Sequence, residues 1–315
     1  MLRGEVMGFY ERAKDLNGKK VYDVPQGGEL QDPEKFIPAL RVDWESEDTA
    51  AELLVEVLQD PNAERLTGLV IGSWVGEMID IPPTDTLETL IAAAANLPHL
   101  DALFVGDVLQ EESEVSWIEQ ADYSGLWTAF PKLKYVKIRG SNNLKLGNLD
   151  HANLETLIIE CGGLPDSVVK DITSSKLPSL KHLELYLGTD NYGWDSSVEA
   201  LQPILSGSLF PNLSYLGLRD ANIADELAPA VAAAPILDRI KILDMSLGTM
   251  TDEGGRALLA SSGVAKLDEL ILNHHFMSKE VVKQLQNLSP KVDTDDAQEA
   301  DVYGDEVYRY IAVSE

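Results

Sequence analysis

Leu177-Pro178-Ser179-Leu180-Lys181-His182-Leu183-Glu184-Leu185-Tyr186 places leucines at 180, 183 and 185, a Leu-x-x-Leu-x-Leu spacing that recurs along most of the chain. Side chains alternate across a strand, so Leu183 and Leu185 turn to one face while His182, Glu184 and Tyr186 turn to the other. The first apolar residue of each such unit is an anchor, and the anchors are Leu66, Leu100, Leu133, Leu154, Leu180, Leu213, Ile240 and Leu267. Their successive spacings are 34, 33, 21, 26, 33, 27 and 27 residues. Pro98, Pro131, Pro178, Pro211 and, with a longer gap, Pro235 stand shortly before anchors, where a proline ends the preceding helix.

Helix starts fall between the anchors. Thr86 precedes Leu87 to Leu97, Ser124 precedes Leu126 to Phe130, and Pro165-Asp166 precedes Val168 to Ile172. Ser196 precedes Val198 to Leu205, Thr251 precedes Gly255 to Leu259, and Ser278 precedes Val281 to Leu288. A strand and a helix per unit of about 27 residues is the signature of a leucine-rich repeat. One unit cannot bury enough to offset its own ordering, so the units must stack. The expected fold is α/β, a leucine-rich-repeat solenoid of the ribonuclease-inhibitor-like kind, curved into a horseshoe with parallel strands on the concave face and helices on the convex face. Thr251-Asp252-Glu253-Gly254-Gly255 resembles the helix start of that repeat class.

Before the first anchor, residues 1–33 read as a lead-in with turns at Pro25-Gln26-Gly27-Gly28 and Asp32-Pro33. Residues 34–62 read as an N-terminal cap: an exposed edge strand from Phe36 to Trp44, then a helix capped by Ser46 with Glu47 and Asp48 in its first turn. Residues 63–289 hold about eight repeats, and 290–315 form a C-terminal cap with an acidic tail, all in one domain. Val292 reads as a last short strand, Asp293 to Asp305 as weakly structured, and Tyr308 to Val313 as a segment that folds back.

Composition narrows the functions open to such a chain. Fifty-three acidic against twenty-five basic residues give a formal charge of −28, which repels phosphate backbones and anionic lipid. Nucleic acid and membrane partners are therefore not expected; a protein or peptide, basic in character, is, unless the charge serves solubility alone. No apolar run reaches the ~20 residues of a membrane span, and the first twenty residues lack the apolar core of a secretion signal. Together with a single cysteine, Cys161, this reads as a cytoplasmic protein without cysteine-cluster metal sites, and no cofactor is implied.

The outward strand positions give the first candidate surface: Tyr135, Lys137 and Arg139; His182, Glu184 and Tyr186; Tyr215 and Arg219; and Asp244. Tyrosine and arginine favour partner contact because they join large area to directed hydrogen bonds. The plain alternative is a solvated sheet face. The loop edge is the second candidate, with Asp190 and the aromatic residues Tyr192 and Trp194 at a loop tip. Asp190, Asp195, Asp220, Asp225, Asp252 and Glu253 fall on the same edge, where carboxylates hold cations or, more simply, cap helices. Cys161 beside His182 lacks a spacing that marks a nucleophile and base, and His274-His275 point to opposite faces if they lie on a strand.

Arg41-Val42-Asp43-Trp44, Ile71-Gly72-Ser73-Trp74, Trp117-Ile118-Glu119-Gln120, Glu160-Cys161-Gly162-Gly163-Leu164-Pro165, Leu187 to Gly193, Leu218-Arg219-Asp220 and Tyr310 to Glu315 recur in an order that resembles a bacterial cytosolic leucine-rich-repeat family. The resemblance covers roughly residue 34 to the C-terminus. It implies the fold and, from genes that lie near radical-SAM and ATP-grasp-type enzymes, a place in a peptide-modification pathway. It implies no catalytic residues, and Asn273-His274-His275 stands where that family carries three histidines. The expected function is a non-catalytic protein- or peptide-binding module using the concave face; the alternatives are a small-molecule binder or enzyme at the loop edge, and a structural subunit of a fixed assembly.

Overall fold

A computed structural model describes residues 11–24, 30–76 and 80–313. It is an α/β structure whose twelve-stranded, mostly parallel sheet alternates with helices. The contacts of the described residues gather in two compact units, one up to residue 156 and one from residue 157.

Unit 1 holds strands β1 (Asp15–Leu16), β2 (Lys19–Asp23), β3 (Phe36–Leu40), β4 (Gly68–Ile71), β5 (Ala102–Val105) and β6 (Tyr135–Arg139). Helices α1 (Ala50–Val57), α2 (Thr84–Ala92) and α3 (Ser124–Ala129) connect them. The β1–β2 pair is antiparallel, and β2–β3, β3–β4, β4–β5 and β5–β6 are parallel. Unit 2 takes over within β7 (Thr156–Glu160) and continues with β8 (His182–Gly188), β9 (Tyr215–Ala221), β10 (Ile242–Asp244), β11 (Glu269–Ile271) and β12 (Lys291–Asp293). Its helices are α4 (Asp166–Thr173), α5 (Gln202–Leu205), α6 (Ala224–Ala232), α7 (Asp252–Leu259) and α8 (Lys279–Leu285). A separate antiparallel hairpin, β13 (Asp301–Tyr303) with β14 (Glu306–Tyr308), follows the last repeat.

Each strand from β4 to β11 begins two residues after an anchor, and all eight anchors are buried. The anchor therefore fixes strand register, because a one-residue slip would turn Leu183 and Leu185 out of the core. The cap residues expected at Thr251 and Ser278 accept the amides of Glu253 and Val281 and so hold α7 and α8.

Three expectations for the termini change. The helix after β3 starts not at Ser46 but at Thr49, which forms a reciprocal capping box with Glu52; Ser46 hydrogen-bonds Asp48 instead. Strand β3 is an interior strand and not an edge, because the lead-in supplies β2 beside it. Pro38 is nonetheless accommodated opposite Tyr22. The acidic stretch from Asp293 to Asp305 is not merely weak structure, since it contains β13, which pairs with β14 just beyond it. The turn expected at 25–28 lies outside the described residues.

The lead-in also covers a sheet face. Ile37, Ala39, Val70, Ala102 and Phe104 project outward from β3 to β5, and Ala13 and Leu16 bury themselves on them, with Val21 and Tyr135 at the margin. Ala13 is tied down by its amide to Asp107 Oδ1 at 3.0 Å, and Arg41 donates to both the Ala13 carbonyl and Asp107. Leu16→Ala is expected to lower the unfolding free energy by about 2–3 kcal/mol in urea titrations, as a buried leucine requires. Asp15→Ala, on the exposed side of the same strand, should stay within about 0.5 kcal/mol.

Candidate functional site

The outward positions of unit 2 form one connected polar group. His182 and Glu184 lie on β8, Tyr215 and Arg219 on β9, and Asp244 on β10, brought side by side by the parallel register His182↔Tyr215↔Ile242. His182 and Tyr215 stack with ring centroids 3.8 Å apart and planes 8° from parallel. His182 Nε2 lies 3.0 Å from Glu184 Oε2, and Arg219 donates to the other oxygen of Glu184. The Tyr215 hydroxyl donates to Asp244 Oδ2 at 2.7 Å, and Arg219 Nε donates to Ser246 Oγ at 3.0 Å while facing Asp244. The guanidinium also sits 4.9 Å from the centre of the Tyr186 ring.

Burial divides this group. Glu184, Tyr186 and Asp244 are buried, contrary to the open face expected for them, because each has a neighbour one strand away that needs its charge or its ring. The accessible rim is the His182 side chain, 29% exposed, with the half-buried Tyr215. Burial by itself pushes the Glu184 carboxyl up, but the Arg219 charge and the His182 hydrogen bond overcome it and bring the group to about 2. Burial and the Asp244 and Glu184 charges raise Tyr215 far above the ordinary phenol value, so it remains a neutral donor. Both carboxylates are committed to donors of the chain itself. What remains accessible is a flat pair of rings over a charge network, an arrangement suited to stacking.

In unit 1 the corresponding positions split similarly. Tyr135 and Lys137 are half-buried, and Lys137 Nζ lies 4.7 Å over the Phe104 ring. Arg139 is buried and donates to the Val108 carbonyl at 2.9 Å, so it braces the chain beyond β5 and offers no open guanidinium.

The loop edge differs from its expectation. Trp194 is buried, while Asp190 is exposed and Tyr192 half-buried. Gly163 leaves the room this loop needs, since a Cβ there would stand 2.5 Å from the Tyr192 carbonyl and 2.6 Å from the Trp194 nitrogen. The edge acids cap helices in neighbouring repeats. Asp195 accepts the Asp166 amide at the start of α4, Asp225 accepts the Thr251 and Gly254 amides of α7, and Asp252 accepts the Ser278 amide before α8. Cys161 is buried with its Sγ 3.2 Å from the Tyr186 carbonyl. His275 is likewise buried, bonded to Thr294 and Met277.

The segment after β14 folds back as a strap over the strand ends, and its seat is a feature that strand patterning could not reveal. Asp220, Leu247 and His274, seven residues after their anchors, all have positive φ (54°, 67° and 57°). Each contacts the same returning segment: His274 Nε2 the Tyr310 carbonyl, the Leu247 carbonyl the Ala312 amide, and Asp220 Oδ1 the Val313 amide. Ile311 and Val313 are buried there. Asp220 is fully buried and its Oδ2 has no hydrogen-bond partner among the described residues, so burial raises its pKa well above the usual range despite the Val313 bond. The repeated 27-residue spacing of these turns is the only trace of the seat in the sequence.

A crystal structure of a Bacteroides fragilis protein, solved by the Northeast Structural Genomics Consortium, matches with a TM-score of 0.78 and 34% identity, over 88% of this chain and 76% of that one. An internalin from Listeria monocytogenes also matches, at a TM-score of 0.29 and 14% identity over 76% of each chain, too distant to bear on this one. No protein-family model and no curated protein matches. Among the described residues, no helix is long and apolar enough to cross a membrane.

Two titration outcomes follow from the buried carboxylates. Glu184 is depressed in the folded state, so its contribution is present above the usual value of 4.5 and lost as pH falls toward about 2. Glu184→Gln is therefore expected to be less stable than the parent at pH 7, with the difference shrinking between pH 4.5 and 2 in chemical unfolding. Asp220 is raised, so its ionisation works against folding as pH climbs above the usual value of 3.8. Asp220→Asn, which keeps an acceptor for Val313 and tolerates positive φ, is expected to gain about 1–2 kcal/mol at pH 7 and nothing near pH 3.

Proposed function

The chain belongs to the family of this Bacteroides fragilis protein, and we propose that it is a non-catalytic protein- or peptide-binding module that docks its partner on the outward sheet face. The observation that carries this reading is the His182–Tyr215 stack, two planar rings kept partly exposed and held in place by Glu184, Arg219 and Asp244. Holding aromatic rings rigid before binding lowers the entropy cost of association. The accessible contact residues of this face are His182 and Tyr215; Glu184, Tyr186, Arg219 and Asp244 hold them in place. Such a role suits an adaptor in a peptide-modification pathway working in the cytoplasm.

The loop edge is the competing surface, and Asp190 with Tyr192 are its accessible members. A displayed random-peptide library selected against the whole chain separates the two. Selected peptides are expected to lose at least tenfold in affinity to His182→Ala and to Tyr215→Ala, and to keep it with Asp190→Ala and Tyr192→Ala. The reverse pattern, or a selection that yields no binder, would sink the sheet-face reading.

A further inference from the structure

The β13–β14 hairpin has no core of its own. Its strands are three residues each, and all six residues are exposed. A two-stranded hairpin of this length is marginal in water, so its side chains are free to serve something other than its own stability. Nine large apolar or aromatic residues are exposed among the described residues, and five of them, Val302, Tyr303, Val307, Tyr308 and Tyr310, lie on this short segment. That concentration is the mark of a contact surface and not of scattered exposure. Val302 pairs with Val307 across the strands on one face, and Tyr303 and Tyr308 meet edge to face at 6.0 Å on the other. Each strand is bonded on one side only, which leaves two open backbone edges.

Charge selects the occupant. Between Lys291 and Arg309 there are seven acids, Asp293, Asp295, Asp296, Glu299, Asp301, Asp305 and Glu306, and no basic residue. Adding a second copy of the hairpin edge to edge would bring the strand acids Asp301 and Glu306 of the two copies close together, which like charges oppose. A slot of about 440 Å³ beside the hairpin continues the same character, lined by Val307, Tyr308 and Ile223 with Glu226 and Asp225; Arg309 is the cation on its rim. Asp225 is committed to Thr251 and Gly254, which leaves Glu226 as the carboxylate to meet an incoming cation.

We propose that the β13–β14 hairpin is a docking element for an extended segment of a basic partner protein, which adds as a strand to the hairpin edge and places a lysine or arginine in the slot between Tyr308 and Glu226. Backbone pairing supplies the register, the valines and tyrosines supply apolar contact, and the acids supply the sign. This surface is separate from the His182–Tyr215 face and does not rest on its role.

The test titrates the whole chain with a twelve-residue peptide alternating arginine and valine, and with its glutamate–valine counterpart. The arginine peptide is expected to bind, weaken with salt, and slow amide exchange at 301–308. Its affinity is expected to fall at least tenfold in Val302→Ser/Tyr303→Ser/Val307→Ser/Tyr308→Ser and several-fold in Glu226→Gln. Asp301→Lys/Asp305→Lys/Glu306→Lys should reverse the preference between the two peptides, with His182→Ala/Tyr215→Ala unaffected. Equal binding to the serine variant would mean general attraction to a chain of charge −28 and would overturn the proposal, as would no binding. Sedimentation showing a dimer that the serine variant abolishes would assign the hairpin to a second copy instead.

Discussion

A parallel sheet cannot leave a face to water unless that face is made polar or is covered, and this constraint organises both units. One face is settled by repetition, with the anchors and the leucines after them buried in every repeat. The other is settled differently in each unit. In unit 1 it is apolar, and the lead-in pays for that by laying Ala13 and Leu16 over Ile37, Val70 and Phe104. In unit 2 it is ionic, and Arg219 is shared between Glu184 and Asp244 so that neither carboxylate is buried without a partner.

The two solutions differ in what they leave for recognition. Apolar covering consumes the strands beneath it and leaves Tyr135 and Lys137 half-buried at its margin. An ionic floor instead supports whatever sits at its rim. Glu184 bonds the His182 ring and Asp244 the Tyr215 hydroxyl, so each stacked ring is oriented by a different carboxylate while the same arginine holds both carboxylates apart. Turning the His182 ring away would leave the buried Glu184 carboxylate short of a hydrogen-bond partner.

The strands were legible because the anchor spacing reports a register that burial enforces, which is why β4 to β11 all start two residues after their anchors. Helix starts were less sharp. Thr49 outcompetes Ser46 because Glu52 completes its capping box, a choice settled by geometry between two plausible caps. The lead-in was illegible for a different reason: Ala13 and Leu16 are isolated apolar residues with no period, and their partners lie far along the chain. Alternation likewise marked Glu184, Tyr186 and Asp244 as outward without saying that outward means buried where charges on adjacent strands pair. Trp194 follows the same logic, since a loop aromatic reads as exposed until the glycine that receives it, Gly163, is placed beside it.

The strap at the strand ends ties these observations to the hairpin. Leu247 at φ 67° is a costly conformation for a branched apolar residue, and it turns a carbonyl toward Ala312. Asp220 accepts a second cost, an ionisable carboxyl without solvent, to hold Val313. Strain and desolvation are thus concentrated at two of the three contacts that fix residues 310–313, immediately after β14. A hairpin exposed on both faces has no core of its own to hold it in place. The strap provides an anchor, so the exposed valines and tyrosines are presented from a fixed base while the fold beneath them carries the cost.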